Sequence, residues 1–161
     1  MQTVTLNKMI DKLGLVNLVQ EVETEGIEIN SAEINRPALQ LAGYFEHFAC
    51  ERVQIIGYVE YTYLNSLDTE VKMKNYELFM SSRIPCVIYA SRTEPDEAMI
   101  ELAKKYKKPL LSSDRATSSL MAEIIRWLNV ELAPCISIHG VLVDVYGEGV
   151  LIMGESGIGK S

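Results

Sequence analysis

The sequence predicts an α/β fold: an N-terminal domain with a mainly parallel sheet and covering helices, then a β-hairpin that leads into a glycine-rich loop. Short apolar runs typical of strands alternate with stretches whose apolar residues recur at helical spacing, which favours parallel strands joined by helices. After Pro134, two strand-like runs follow each other directly. The glycine-rich stretch GESGIGKS then occupies residues 154–161.

The first elements are short. Residues 6–13 (LNKMIDKL) have apolar residues on one helical face, with Thr5 as the predicted cap and Gly14 as the stop. The runs LVNLVQ (15–20) and IEIN (27–30) are predicted as strands, the second because apolar and polar residues alternate.

A regular alternation follows. Pro37 is predicted to start a helix over ALQLAGYFEHFA (38–49), and RVQIIGYVE (52–60) is predicted as the next strand. A helical stretch around YELFMSS (76–82) then precedes the strand PCVIYA (85–90).

Two further helices enclose one strand. The stretch Thr93-Glu94-Pro95-Asp96 offers a cap, a proline and carboxylates for a helix that buries Met99 and its helical neighbours. The run PLLSS (109–113) is the next strand. Either Asp114 or Thr117 then opens a helix that ends before Pro134. Its predicted buried stripe consists of Leu120, Met121, Ile124, Ile125 and Leu128, which recur at helical spacing.

Composition narrows the class of protein. With 48% hydrophobic residues the chain can bury a core, and its net charge of −7 argues against a broad nucleic-acid surface. The basic run at residues 104–108 reads as the solvated face of a helix. We expect a cytoplasmic protein, because the sequence shows no signal peptide and no apolar run of membrane-spanning length.

The three cysteines predict neither a disulfide framework nor a zinc site. Cys50, Cys86 and Cys135 are far apart and have no C-x-x-C pair or histidine at ligand spacing. Cys86 and Cys135 lie in apolar runs, so we expect them to be small buried packing residues.

Residues 154–161 fill every position of the pattern G-x-x-x-x-G-K-[ST] after the strand-like run GVLIM. Glycines at 154, 157 and 159 let the backbone curl so that its N–H groups approach phosphate oxygens. Lys160 would reach the β- and γ-phosphates, and the hydroxyl of Ser161 would contact Mg²⁺. A chance glycine-rich turn is the alternative, and the preceding strand disfavours it.

A predicted hairpin gives His139 a position near this loop. The runs CISIHGVLVDVY and GVLIMG flank a turn centred on Glu148, and that register places His139 opposite Gly157. An imidazole there can donate a hydrogen bond or, when protonated, offset transition-state charge. The same register places Asp144 away from the loop, so we assign it a structural role. His47 is expected at partly buried surface or in the core rather than in catalysis.

The stretches RPALQLAGYFEHFACERVQIIG and SIHGVLVDVYGEGVLIMGESGIGKS together resemble the bacterial HPr kinase/phosphorylase family along essentially the whole chain. The resemblance implies a cytoplasmic hexamer that phosphorylates a serine of the phosphocarrier protein HPr with ATP or pyrophosphate and Mg²⁺. It also implies the reverse reaction, in which phosphate attacks phosphoserine-HPr to give pyrophosphate. The expected role is in carbon catabolite regulation.

The resemblance also implies site residues. His139 and Lys160 match catalytic positions, and Ser161 matches a Mg²⁺ contact. The nucleotide-binding residues implied are Gly154, Glu155, Ser156, Gly157, Ile158, Gly159, Lys160 and Ser161. The family's aspartate base and second metal carboxylate would lie beyond Ser161, so we expect this chain to be an inactive fragment.

The expected organisation is an N-terminal α/β domain at 1–131, a linker at 132–135, and the hairpin and loop of a truncated kinase domain at 136–161. Two alternatives stay open: a non-catalytic regulatory or assembly module, and another P-loop NTPase. Tyr61, Tyr63 and Leu64 are either a subunit contact or part of the core.

Overall fold

The computed structural model describes residues 2–133. The predicted hairpin, with Cys135, His139 and Asp144, and the loop at 154–161 lie outside the described residues. The elements in chain order are β1 (Val4–Thr5), α1 (Leu6–Leu13), β2 (Val16–Asn17), β3 (Glu28–Ile29), β4 (Ile34–Asn35), α2 (Ala38–Leu41), β5 (Val53–Ile56), α3 (Tyr58–Ser66), α4 (Thr69–Met80), β6 (Val87–Tyr89), α5 (Glu97–Tyr106), β7 (Leu110–Ser112) and α6 (Thr117–Glu131).

The main sheet has five strands in the order β2-β7-β6-β5-β4. Strands β4 to β7 run parallel to one another, and β2 pairs antiparallel with β7 at one edge. A separate two-stranded antiparallel sheet joins β1 to β3. The predicted α/β class with a mainly parallel sheet is confirmed.

Both faces of the main sheet are buried. In the observed register Ile55, Ile88 and Leu111 lie side by side and contribute to one core, which α1 and α6 cover. Their neighbours Ile56, Tyr89 and Leu110 belong to a second core on the opposite face, which α4 and α5 cover. The strands therefore read as continuous apolar runs, as expected when helices cover both faces of a parallel sheet.

The ends of α1 agree with the sequence. The hydroxyl of Thr5 accepts a hydrogen bond from the Lys8 N–H at 3.2 Å, which satisfies one free donor of the first turn. Gly14 ends the helix at φ 65° and donates its N–H to the carbonyl of Ile10. In α6 the predicted stripe is also present, because Leu120, Ile124 and Leu128 are fully buried.

The predicted helix over residues 38–49 is wrong beyond its first turn. The helix ends at Leu41, and Gly43 adopts φ 105°, which a helix cannot contain. Phe45 and Phe48 nevertheless pack against the second core from the following turns. The apolar spacing correctly indicated that these two rings are at least partly buried, but Leu39 and Ala42, which fall on the same predicted helical face, are exposed. His47, which was expected at partly buried surface or in the core, instead lies exposed in this segment at φ 60°.

The strand predicted at 52–60 is too long. It ends at Ile56, because Gly57 caps α3 with extended backbone and Tyr58 starts that helix. Strand β4 has two residues and no alternating pattern, so the sequence did not reveal it. The run IEIN pairs with β1 rather than joining the main sheet.

The structure also decides three open assignments. Asp96, rather than Thr93, caps α5 by accepting the Met99 N–H at 3.0 Å. Thr117, rather than Asp114, begins α6. Leu64 belongs to the core, whereas Tyr63 on the same helix is exposed.

No helix within residues 2–133 is both long and apolar enough to cross a membrane.

Cys86 is buried in the first core, as predicted, and burial raises the pKa of its thiol to about 12. Since the unfolded thiol has a pKa of about 8.5, this group's contribution to stability is fully present below that pH and is lost as the pH rises toward the folded value. In Cys86→Ala we expect the free energy of unfolding to fall less steeply above about pH 8.5, by up to about 1.4 kcal/mol per pH unit.

Urea unfolding at a series of pH values measures this difference in slope. The buried tyrosines Tyr76 and Tyr89 titrate in both proteins, so their contribution cancels in the comparison. Equal slopes for the two proteins would show that the thiol does not carry the effect.

Candidate functional site

The predicted catalytic and nucleotide-binding residues are not among those the structure describes. His139, Lys160 and Ser161, together with the rest of residues 154–161, lie beyond Ala133. Their roles therefore stay predictions. Within residues 2–133, functional groups gather at the carboxyl ends of the parallel strands, where open α/β sheets bind ligands.

Four loops meet at this edge of the sheet. Arg36 follows β4, Gly57 follows β5, Ser91 follows β6, and Thr117 begins the helix after β7. We call these four residues the carboxyl rim. These four residues come together because β4 to β7 are neighbours that run in the same direction.

At one end of the carboxyl rim, Arg36 forms an ion pair with Glu60 of α3. The guanidinium of Arg36 donates to the Glu60 carboxylate at 2.7 Å, and Glu60 is only 4% exposed. The same carboxylate accepts the Gly57 N–H at 2.9 Å, so it caps the first turn of α3. A buried carboxylate requires such partners, because leaving one uncompensated is strongly unfavourable.

At the other end of the carboxyl rim, the hydroxyl groups of Ser91 and Thr117 form hydrogen bonds. The Ser91 hydroxyl accepts the Thr117 N–H at 3.0 Å and shares a hydrogen bond with the Thr117 hydroxyl at 2.8 Å. The Ser91 N–H donates to the carbonyl of Arg115 at 2.8 Å. These contacts join the end of β6 to the start of α6. The polar groups of the rim thus bond chiefly to one another and brace the strand ends.

Gly57 lies between these two ends. A Cβ at this position would be 2.5 Å from the Thr117 hydroxyl oxygen and 2.9 Å from a terminal nitrogen of Arg36. Its φ of −105° is open to any residue, so lack of space, not backbone conformation, explains the glycine.

A cavity of about 350 Å³ lies beside the carboxyl rim. Its lining consists of Leu18, Arg92, Thr93, Glu94, Ser112, Ser113 and Asp114. This lining contains two carboxylates, from Glu94 and Asp114, and one guanidinium, from Arg92, so it does not favour binding of a phosphate group. Residues 2–133 also contain no cluster of three or more histidine, cysteine or acidic residues that could hold a metal ion.

A smaller space of about 70 Å³ shares Glu94 with this cavity, and Tyr76 and Tyr89 are among its lining residues. The Tyr76 hydroxyl donates to Asp96 at 3.0 Å, and the Lys72 ammonium lies 3.1 Å from the same carboxylate. Burial, and then the nearby Asp96 charge, raise the pKa of Tyr76 well above its ordinary value. Tyr76 therefore stays a neutral hydrogen-bond donor at physiological pH.

A wider concavity, of about 890 Å³, is a groove between α1 and α6 that includes Lys12, Arg126 and Trp127. It lies beside the end of the described chain. There Lys8 pairs with Glu131 at 2.8 Å, and the Gln2 side chain donates to the Ala133 carbonyl at 3.3 Å. The groove is therefore next to the point where the chain continues toward the predicted phosphate loop.

Sequence reasoning did not find the residues of the carboxyl rim. Gly57 and Glu60 have the spacing of a capped first turn, but the predicted strand at 52–60 hid that signal. The pairing of Ser91 with Thr117 joins residues 26 positions apart, and no local pattern marks it.

The packing around Gly57 can be tested by adding one methyl group. We expect Gly57→Ala to destabilise the protein by about 1–3 kcal/mol, because the methyl overlaps Thr117 and Arg36. Thr117→Ala removes one of the two overlapping side chains. The loss of unfolding free energy in the double variant should therefore be smaller than the sum of the losses in the two single variants, by about 1 kcal/mol or more. Chemical denaturation of the four proteins measures this coupling, and strictly additive effects would contradict the overlap.

Family models match nearly the whole chain. One described as HPr Serine kinase N terminus matches residues 4–128, and one described as HPr Serine kinase C-terminal domain matches residues 130–161.

Several curated proteins named HPr kinase/phosphorylase are similar over the full chain. The protein from Lachnoclostridium phytofermentans is 49% identical over 161 residues, which are 100% of this chain and 52% of the relative. The protein from Alkaliphilus metalliredigens is 43% identical with the same coverage of both chains. The chain spans about half the length of the curated relatives it matches.

Among solved structures, the CBS and DRTGG domains of the regulatory region of Clostridium perfringens pyrophosphatase, solved with the activator diadenosine tetraphosphate, have a similar fold. The TM-score is 0.57 at 15% identity, over 89% of this chain and 56% of the other. At this identity the likeness concerns the fold alone. The family match rests on sequence: because the N-terminal model covers residues 4–128, this protein belongs to the HPr serine kinase family.

Proposed function

We propose that this chain forms part of a protein kinase and phosphorylase that acts on a serine of HPr. The observation that carries the proposal is the similarity to HPr kinase/phosphorylases along the entire chain, including the phosphate-loop sequence. In the forward reaction the serine hydroxyl attacks the terminal phosphoryl group of ATP or pyrophosphate. ADP or phosphate leaves, and the serine proton passes to a base beyond Ser161. In the reverse reaction, phosphate attacks phosphoserine-HPr and yields pyrophosphate and free serine.

In this proposal the loop at 154–161 holds the phosphates through backbone N–H groups. The ammonium of Lys160 balances charge on the β- and γ-phosphates, and the hydroxyl of Ser161 contributes one ligand to Mg²⁺. His139 donates a hydrogen bond, or a positive charge when protonated, to the phosphoryl oxygens. The residues present fit Mg·ATP chemically, because the loop supplies donors, a cation and a metal-binding hydroxyl in the required order.

The domain organisation belongs to the same proposal. The α/β domain comprises residues 1–131, a linker covers 132–135, and the kinase region begins at 136. Helix α6 ends at Glu131, which supports a boundary at that point. We place the protein in the cytoplasm, where HPr would be its partner, and expect a homo-oligomer, a hexamer as the family resemblance implies.

The α/β domain has a proposed role in assembly or regulation rather than in phosphoryl transfer. Its carboxyl rim is occupied by its own hydrogen bonds, and its neighbouring cavity carries more acidic than basic groups. The exposed side chains of Tyr58, Val59 and Tyr63 on α3 support the assembly role.

We expect the 161-residue chain alone to bind Mg·ATP at least about 100-fold more weakly than a longer protein in which residues 1–161 continue into a relative's catalytic region. A helix after the loop supplies additional donors and the positive end of its dipole to the phosphates. Isothermal titration calorimetry of the two proteins measures the difference. Equal affinity would show that the loop needs nothing after Ser161.

The catalytic assignments can be tested in the longer protein by phosphate transfer from ATP to HPr. We expect Lys160→Met and His139→Ala each to lower the rate about 100-fold, since each removes a group that stabilises transition-state charge. Lys107→Met and His47→Ala are matched controls, because both residues are exposed in the α/β domain.

We expect the two site variants to lose activity, whereas the two control variants, which also lack a lysine or a histidine, should keep it. If the His139 variant transfers phosphate as fast as the His47 variant, His139 has no catalytic role. If the His139 variant is active but the Lys160 variant is not, the role of the phosphate loop is supported and the predicted hairpin register is wrong.

A further inference from the structure

The cavity of about 350 Å³ beside the carboxyl rim has the position and the size of a small-molecule site. Its lining comes from Leu18, from the end of β7 and from the loops that follow β6 and β7. Open α/β sheets bind ligands at the carboxyl ends of their parallel strands. Small-ligand pockets have volumes of roughly 300–1,000 Å³, and this cavity falls within that range.

The loop after β6 has a fixed and unusual backbone. Ser91 and Arg92 are both left-handed, at φ 56° and 60°, which is costly for residues other than glycine and persists where other contacts hold it. The Ser91 N–H donates to the Arg115 carbonyl at 2.8 Å. The N–H and the hydroxyl of Thr93 both donate to the Ala90 carbonyl, at 3.1 and 2.7 Å. The backbone that carries Arg92 is therefore set before a ligand binds.

The loop after β7 is tied to the same place. The Ser113 N–H donates to the Tyr89 carbonyl at the end of β6, at 3.0 Å. The Ser113 hydroxyl accepts the Arg115 N–H at 3.2 Å, so the backbone on both sides of Asp114 is held. A site whose backbone is already ordered loses less entropy when it binds a ligand.

Three charged side chains belong to the lining: Arg92, Glu94 and Asp114. All three are exposed, and none of them forms an ion pair with another residue of the described range 2–133. The adjacent Arg115, in contrast, pairs with Glu123. Two negative groups and one positive group of the lining are therefore available to the charged groups of a ligand.

These charges define the complementary ligand. A guanidinium binds a carboxylate through two parallel N–H···O bonds, and each carboxylate of the lining suits one ammonium or guanidinium group. A small molecule with one anionic and two cationic groups on a short chain is a dibasic α-amino acid, such as lysine. We propose that this cavity binds a free dibasic amino acid, with its carboxylate on Arg92 and its two cationic groups on Glu94 and Asp114.

Binding at this site is weak. All three charged side chains are exposed, so water and salt reduce the strength of each contact. We therefore expect a Kd of about 10⁻³ M for lysine. The inference rests on the lining of the cavity and not on the proposed catalysis.

Titration of the 161-residue chain, labelled with ¹⁵N, with L-lysine at constant ionic strength tests the proposal. We expect saturable shifts of the amide NMR signals at residues 91–94 and 112–114. Signals that do not shift up to about 20 mM lysine, or saturable shifts confined to other residues, would overturn the proposal.

Three analogues each lack one charged group of lysine. Cadaverine lacks the carboxylate, norleucine lacks the side-chain ammonium, and 6-aminohexanoate lacks the α-ammonium. Each should bind about five-fold more weakly than lysine, because it leaves one charged group of the lining without a partner. An analogue that binds as tightly as lysine would refute the contact assigned to the group it lacks.

Protein variants assign the contacts. Arg92→Gln should raise the Kd for lysine about five-fold but should not weaken cadaverine, which has no carboxylate for Arg92 to bind. Glu94→Gln should also raise the Kd for lysine about five-fold, because it removes a partner of an ammonium group.

Arg83→Gln and Glu51→Gln are matched controls. Both residues are exposed and precede β6 and β5, at the opposite edge of the sheet. They change the net charge of the chain as the site variants do, yet they should leave the Kd for lysine within about two-fold. An effect of Arg83→Gln equal to that of Arg92→Gln would show that net charge, and not this cavity, governs the binding.

Discussion

Burial of the parallel sheet on both faces is the constraint on which the rest of the structure depends. Ile55, Ile88 and Leu111 lie in one core, while Ile56 and Tyr89 lie in the other. Fully burying one such aliphatic side chain contributes about 1.5–3 kcal/mol. A one-residue shift of any strand would exchange its two sets of side chains between two differently shaped cores, so register is strongly specified. That register also brings the ends of β4 to β7 to one edge and creates the carboxyl rim.

Buried polar groups fix contacts between elements that apolar packing alone would not specify. Gln54 is completely buried in β5, and its carbonyl oxygen accepts the Asn35 amide at 2.7 Å, while its own amide donates to the Arg52 carbonyl at 2.8 Å. Because an unpaired buried amide is costly, this pairing holds the two-residue strand β4 beside β5. Asp96 has a similar role at the start of α5, which it caps while it also binds Tyr76 and Lys72.

The described domain and the predicted phosphate loop differ in their chemistry. The domain satisfies its own polar groups at the carboxyl rim and leaves Tyr58, Val59 and Tyr63 of α3 exposed to water. The loop sequence, in contrast, offers backbone donors, a lysine and a hydroxyl to a ligand. The proposed division between an assembling α/β domain and a phosphoryl-transfer region would account for both sets of residues and is compatible with membership of the HPr serine kinase family.

The sequence by itself determined the α/β class, the caps of α1, the buried stripe of α6 and the family. Each of these is encoded in neighbouring residues or in a contiguous motif, so local pattern suffices to find them. Only the tertiary structure decided that the segment after Leu41 leaves the helix, that Tyr58 starts a new one, and that Ser91 meets Thr117. These outcomes depend on contacts between residues far apart in the chain, where packing overrides local preference. The same reason applies to α3. By sequence its apolar residues suited core or surface equally well, and only the packing of Leu64 in the second core decided that Tyr63 faces solvent.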